Sequence, residues 1–239
     1  MHDNYVLVTG GSQNIGAAIC RRLHADGLKV IVLDIVEPTH DLSTEFCQVD
    51  LSDAQATKAV LAQLTDKYEI TRLVNNVGIV RPALVEDTKL EDFELLMNLN
   101  TRSALICTQA LLPTMRRKKF GRIVSNASRV VLGKELRTCY SGSKGALISM
   151  SRTWALELAK DGITVNGVAP GPIATNAFWA NNPPDSKQAK AILRGIPLQR
   201  MGTPEDVANG VAFFIDERSS FVTGQFLYVC GGVTVGLSA

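Results

Sequence analysis

Tyr140 and Lys144 are the pair of residues in this sequence best placed to do chemistry. They stand in Thr138-Cys139-Tyr140-Ser141-Gly142-Ser143-Lys144-Gly145-Ala146-Leu147, whose continuation to Lys160 has helical spacing. Residues four apart on a helix share a face, one turn from each other. A free tyrosine, with a pKa of about 10, is a poor base at neutral pH. An ammonium held nearby favours the phenolate and lowers that value. A shift of about three units needs roughly 4 kcal/mol of differential stabilisation and brings the phenol to the range where proton transfer is most efficient. The same spacing also fits a helix start that merely carries Tyr and Lys, so the rest of the chain has to decide between the two.

A second group of residues suits phosphate. Thr9-Gly10-Gly11-Ser12-Gln13-Asn14-Ile15-Gly16 joins the apolar run Tyr5-Val6-Leu7-Val8 to a helical pattern from Ile15 to about Ala25, closed by Gly27. Glycine in such a turn permits positive φ and close approach of backbone to ligand. The helix start offers unpaired N–H groups and the positive end of the dipole. Lys29-Val30-Ile31-Val32-Leu33-Asp34 follows as a second strand and completes a β-α-β unit of dinucleotide-binding size. Asp34 comes eighteen residues after Gly16, a distance at which an acid accepts hydrogen bonds from an adenosine ribose. No Arg or Lys lies between Gly10 and Gly16 or between Asp34 and Asp41 to receive a 2′-phosphate, so the expected cofactor is NAD rather than NADP.

The elements that must position these residues alternate along the chain. Only about eleven residues separate Asp34 from a third strand near Phe46 to Val49. With Pro38 and Asp41 inside that stretch, an open loop or single turn is expected in place of a helix. Ser52 is expected to cap a helix running to about Lys67, and Leu73-Val74-Asn75 reads as a strand. Two helices follow, from Leu90 to Asn98 and from about Ser103 to Arg117, with Pro113 bending the second. Arg122–Ser125, Thr164–Val168 and Phe226–Val229 are the remaining strands, and residues 174–200 read as a lid. Thr203, with Pro204 at the first helical position, starts a last helix. Seven strands alternating with helices predict one α/β domain over residues 1–239, a doubly wound parallel sheet.

Composition narrows the partners. The 239 residues are 46% hydrophobic and 20% charged, with a net charge of +2, and do not call for nucleic acid. The one basic cluster, Arg116 to Lys119, falls at a helix end, where cations suit the dipole. With the first strand beginning by Tyr5, no signal peptide is expected, and no apolar run is long enough to span a membrane. The five cysteines are scattered, without C-x-x-C or a histidine at ligand spacing, which implies a reduced cytoplasmic protein with no metal site. His2, His24 and His40 all fall in the first forty residues and are expected to be bystanders.

Over its whole length, and in the same order of motifs, the chain resembles the short-chain dehydrogenase/reductase family. Thr9, Gly10 and Gly16 match T-G-x-x-x-G-x-G, Asn75-Asn76-Val77-Gly78 matches N-N-A-G, and Tyr140 and Lys144 match Y-x-x-x-K. Asn100 and Ser128 stand at the family's active-site asparagine and serine, and Pro170-Gly171 at its P-G turn. Asn14 replaces the middle glycine, where an asparagine tolerates left-handed backbone and offers its side chain to a phosphate. Val77 replaces an alanine at an expected buried place.

The resemblance implies a Rossmann fold, a nicotinamide cofactor and a homotetramer. It makes Tyr140 the general acid/base, Lys144 the cation that lowers its pKa and bonds the nicotinamide ribose, Ser128 a donor to the substrate oxygen, and Asn100 the holder of a relay water. It places Gly10, Ser12, Asn14, Ile15 and Gly16 at the pyrophosphate, Asp34 at the adenosine ribose, and Asp50 and Leu51 at the adenine. Asn76 and Gly78 fall at the neighbouring ribose, and Pro170, Gly171 and Ile173 at the carboxamide.

Val80, Arg81, Arg129, Val130, Val131, Arg137, Phe178 and Trp179 are candidate substrate contacts, fitting a small or medium alcohol or ketone, with Arg81 or Arg129 available to an acidic group. Two other readings stand beside the alcohol dehydrogenase: a 3-oxoacyl-thioester reductase using NADPH, and a non-catalytic nucleotide sensor.

Overall fold

Each central strand feeds two cores. In β1 (Tyr5–Thr9) Leu7 faces one side while Val6 and Val8 face the other. In β2 (Lys29–Asp34) Ile31 and Leu33 oppose Val30 and Val32 in the same way. A strand apolar on both faces must be covered on both, which is the condition for a parallel sheet between two helix layers. The computed structural model describes residues 4–39 and 41–235 and has that arrangement; His2 and His40 lie outside the described residues. With β3 (Ser43–Gln48), β4 (Arg72–Asn75), β5 (Gly121–Asn126), β6 (Ile163–Pro170) and β7 (Phe226–Val229), the sheet has seven parallel strands in the order β3-β2-β1-β4-β5-β6-β7.

Helices α1 (Asn14–Ala25) and α8 (Pro204–Ile215) pack together on one face. Helices α2 (Ala54–Lys67), α4 (Ser103–Lys118) and α5 (Thr138–Leu158) cover the other, with α3 (Leu90–Met97) beside α5. Two short helices, α6 (Asn176–Asn181) and α7 (Lys187–Arg194), lie in the 174–200 segment. Strand order reverses between β1 and β4, so the crevice at their carboxyl ends is where a ligand is expected.

The local chemistry explains where the elements depart from expectation. The described part of the β2–β3 connection is irregular, as Pro38 demands, but β3 begins at Ser43, earlier than the apolar run indicated. The cap of α2 is Asp53, not Ser52: its carboxylate accepts from the N–H groups of Gln55 at 2.8 Å and Ala56 at 3.0 Å. At the start of α8, Thr203 and Asp206 form a full capping box.

The gap expected between the helices after Asn98 is absent. Asn98–Arg102 forms a π-helical turn that leads from α3 directly into α4. Such a turn spaces its hydrogen bonds by five residues, leaves a main-chain carbonyl without a helical partner, and tends to sit at functional sites. Asn100 is in this turn. The basic cluster ending α4 works chiefly through side chains: Arg116 and Lys119 pair with Asp161, and Arg117 and Lys118 with Glu69.

Candidate active site

The crevice is a cavity of about 930 Å³ running from Asp34 and Asp50 to Ser128 and Tyr140. Its floor is built where three strands end. After β1, Gly10 takes φ +63°, and a Cβ placed on Gly16 would stand 1.8 Å from the Gly10 carbonyl oxygen. The turn and the first coil of α1 are therefore in direct contact, which only glycine permits. After β4, Asn76 Nδ2 donates to the Thr9 and Gly10 carbonyls at 3.1 and 2.8 Å. At the end of β5, Asn126 Nδ2 donates to Asn76 Oδ1 at 2.8 Å. The two asparagines thus tie the ends of β1, β4 and β5 into one rigid rim.

The rim fits a dinucleotide. Asn126 Oδ1 is buried without a partner among the described residues and belongs to a residue lining the cavity, as an acceptor awaiting a ligand hydroxyl would. Gly10, Asn14, Ile15 and Gly16 line the cavity at the amino end of α1, where the dipole favours an anion. Asp34, Asp50, Leu51, Asn76, Gly78, Pro170, Gly171 and Ile173 line it as well.

Ser12 does not. It is fully buried, its N–H donates to Asp34 Oδ2 at 3.0 Å, and its hydroxyl donates to the Val36 carbonyl at 2.7 Å. Its role is to bind the glycine turn to the end of β2. Asn14 adopts φ 48° as expected of asparagine, but its Oδ1 accepts from Asn176 N at 3.0 Å, so the side chain joins the turn to the 174–200 segment. Val77 is partly exposed and lines the cavity, contrary to its expected burial.

At the other end, α5 delivers Tyr140 and Lys144 one turn apart, and the loop after β5 delivers Ser128. Ser128 has extended backbone, its Oγ accepts from Val130 N at 3.3 Å, and it lines the cavity together with Tyr140. Lys144 is 2% exposed and donates from Nζ to the Asn126 carbonyl at 2.7 Å. Asn100 does not line the cavity. It stands behind Lys144, accepting from Ile79 N at 2.9 Å and donating to Ile79 O and Ser143 Oγ, each at 3.0 Å. A Cβ on Gly78 would lie 3.0 Å from Lys144 Nζ and 3.2 Å from Asn100 Oδ1, so this glycine closes the wall around the ammonium.

The electrostatics differ from the simple sequence argument. Burial raises the Tyr140 pKa, opposed by the Ser128 side chain and the Arg137 guanidinium. Lys144 is not bonded to the phenol: Nζ lies over the tyrosine ring, 6.0 Å from its centre, and donates to the Asn126 carbonyl. The phenol is therefore protonated at neutral pH. Burial brings Lys144 itself down from 10.5 to about 8.

That depression has a sign for stability. A cation whose pKa is lower folded than unfolded costs stability while protonated in both states, and the cost is relieved as pH rises from about 8 toward 10.5. Between pH 7.5 and 9.5 the unfolding free energy of the wild type is expected to gain about 2 kcal/mol on that of Lys144→Met. Urea titration of both proteins at the two pH values measures this, and parallel curves would refute it.

Of the expected substrate contacts, Val80, Arg129, Val130, Arg137 and Phe178 line the cavity. Arg81, Val131 and Trp179 do not: Arg81 lies 3.7 Å from Asp92, and the Trp179 ring packs edge-on against Phe178. Sequence reasoning missed Asn126 and Lys134. Asn126 ends a strand without belonging to any motif, and Lys134 sits in an irregular loop, so neither had periodicity to mark it.

A parallel sheet with a glycine turn at its switch point, a serine and a tyrosine on one cavity wall and a buried lysine defines a nicotinamide-dinucleotide-dependent oxidoreductase. The chain belongs to the short-chain dehydrogenase/reductase family. The family described as enoyl-(acyl carrier protein) reductase matches residues 10–234. The chain is 35% identical to (2S)-[(R)-hydroxy(phenyl)methyl]succinyl-CoA dehydrogenase subunit BbsD of Thauera aromatica, over 97% of each chain. It is also 35% identical to the 3-oxoacyl-[acyl-carrier-protein] reductase FabG of Thermotoga maritima, over 96% of this chain and 97% of that one. The solved structure of ElxO with NADP bound superposes with TM-score 0.91 at 28% identity, covering 98% of this chain and 100% of the other. A Beutenbergia cavernae protein with bound NADP does so with TM-score 0.92 at 29% identity, covering 99% and 98%.

Proposed function

We propose that this oxidoreductase interconverts a small or medium secondary alcohol and its ketone with NAD(H), using Tyr140 as general acid/base. The observation that carries the reading is that Ser128 and Tyr140 line the same cavity, with the buried Lys144 ammonium one helical turn behind the phenol. In reduction, the Ser128 hydroxyl donates to the substrate carbonyl oxygen and polarises it, and Tyr140 gives that oxygen its proton. In oxidation the phenol first passes its proton to the Lys144 relay, and its oxygen then takes the proton of the alcohol. Lys144 offers its ammonium to a ribose hydroxyl and replenishes the tyrosine proton. Asn100, locked in the π-helical turn, keeps the wall beside the ammonium in place and presents it to a relay water. A bound dinucleotide supplies or accepts the hydride at its nicotinamide ring. The 174–200 segment, joined to the glycine turn through Asn14, acts as the lid.

NAD is favoured over NADP by Asp34. Its carboxylate is 9% exposed, lines the cavity, and accepts from Ser12 N and from Ile35 N at 2.7 Å. A fixed anion there repels a 2′-phosphate, although both solved relatives named above hold NADP. Asp34→Asn keeps an acceptor for Ser12 and removes the charge, so it is expected to shift the NADH-to-NADPH affinity ratio toward NADPH by roughly tenfold or more. Fluorescence titration of both coenzymes tests this, and tighter NADPH binding by the wild type would overturn the assignment.

A second reading, reduction of 3-oxoacyl thioesters, is supported by the FabG similarity, and turnover of an acyl-carrier thioester with NADPH would select it. An intact Ser128, Tyr140 and Lys144 set gives a pure nucleotide sensor no advantage. We also infer a cytoplasmic homotetramer. Exposed Leu156 on α5, Phe213 on α8 and Leu227 on β7 suit buried subunit contacts, and five free thiols suit a reducing compartment. Light scattering at the mass of a single chain would refute the tetramer. Among the described residues no helix is long and apolar enough to cross a membrane.

A further inference from the structure

Three cations line the substrate end of the cavity within nine residues of sequence. Arg129 follows Ser128 in a 3-10 turn, Lys134 lies in the next loop, and Arg137 caps α5 three residues before Tyr140. None of the ion pairs among the described residues includes them. The contrast with Arg116 to Lys119, all four paired, is plain. Glu135 is the acid among them and also lines the cavity, leaving the segment with two net positive charges.

Arg137 is placed against local preference. It occupies the N-cap of a 21-residue helix with no acid in the first turn, where the dipole is positive and an arginine is the wrong sign. An anion bound there meets both the guanidinium and the helix end, which reverses the penalty.

We propose that Arg129, Lys134 and Arg137 form an anion-recognition site for an oxyanion carried by the substrate itself, so that the ketone or alcohol read by Tyr140 belongs to an acidic molecule. The loop after β5 that carries Arg129 is three strands away from β2, whose end holds Asp34, so the adenosine end of a dinucleotide does not account for the site. Partial desolvation and the nearby Arg137 and Arg129 charges lower the pKa of Lys134, an exposed side chain. The anion is a carboxylate on the same carbon skeleton or a phosphate on a carrier arm; planar guanidinium forks suit either. The inference rests on the oxidoreductase reading proposed above, and the test separates the two.

Calorimetry on the NADH-saturated full chain, with glutarate and inorganic phosphate as probes, measures the site without turnover. Glutarate or phosphate is expected to bind in the millimolar range or tighter, at least tenfold more weakly to Arg129→Gln/Lys134→Gln, and more tightly to Glu135→Gln. The tighter probe identifies the oxyanion. Failure of both probes to bind the wild type, or equal binding by wild type, double variant and Glu135→Gln, overturns the proposal. If the double variant does not fold, the direction of the Glu135→Gln change decides alone. In parallel, 4-oxopentanoate and its methyl ester are assayed with NADH. Turnover of either with no anion binding leaves the oxidoreductase reading standing and sinks the anion site; anion binding with no carbonyl turnover does the reverse.

Discussion

Tyr140→Phe is expected to lower kcat/KM by about a thousandfold while NADH affinity stays within about threefold of wild type. The substitution removes one oxygen and leaves the ring. That oxygen belongs to a residue that lines the cavity with Ser128, and a positioned acid/base contributes roughly 10²–10⁴ in rate, or about 3–5 kcal/mol of barrier. The dinucleotide rim consists of Gly10, Asn76 and Asn126, none of which bonds the phenol. Steady-state assays with a responsive carbonyl, beside coenzyme titration, separate the two effects. Residual activity within tenfold of wild type would remove Tyr140 from the reaction, and loss of NADH binding would assign it a structural part.

Gly16→Ala is expected to be nearly as damaging by a different route. An added Cβ would stand 1.8 Å from the Gly10 carbonyl oxygen and 2.9 Å from Asn76 Nδ2. The first of these is backbone, so no side-chain rotation relieves the clash. Overpacking typically costs 1–3 kcal/mol, and a main-chain clash belongs near about 3. At roughly 2–4 °C per kcal/mol for a chain of this size, the melting temperature should fall by about 6–12 °C. Because Gly10 and Asn76 shape the cofactor floor, NADH affinity should drop by at least about tenfold at a temperature where the variant is still folded. Differential scanning calorimetry and coenzyme titration test both parts. A variant that melts and binds like wild type would show that the turn has room the glycine contact denies.

Asp53, the π-helical turn and the polar rim show where reading along the chain runs out. Ser52 and Asp53 are both good capping residues, and the choice of Asp53 follows from where the chain leaves β3 and turns into α2. The π-helical turn at Asn98–Arg102 carries no glycine or proline to announce it. It sets Asn100 where its side chain bonds Ile79 and Ser143 at once. Ser12 lies in the glycine-rich turn, yet its N–H is spent on Asp34, a partner twenty-two positions away.

Strand count, the alternation of helix and strand, the glycine turn and the Tyr140–Lys144 spacing were readable in the linear order of residues, because each depends on periodicity or on neighbours within one turn. Which way the phenol titrates, which arginines reach the cavity and what Lys144 bonds depended on the folded chain. Those properties arise from burial and from groups that are distant in sequence and adjacent in space, such as Asn126 beneath Lys144 and Arg137 beside Tyr140.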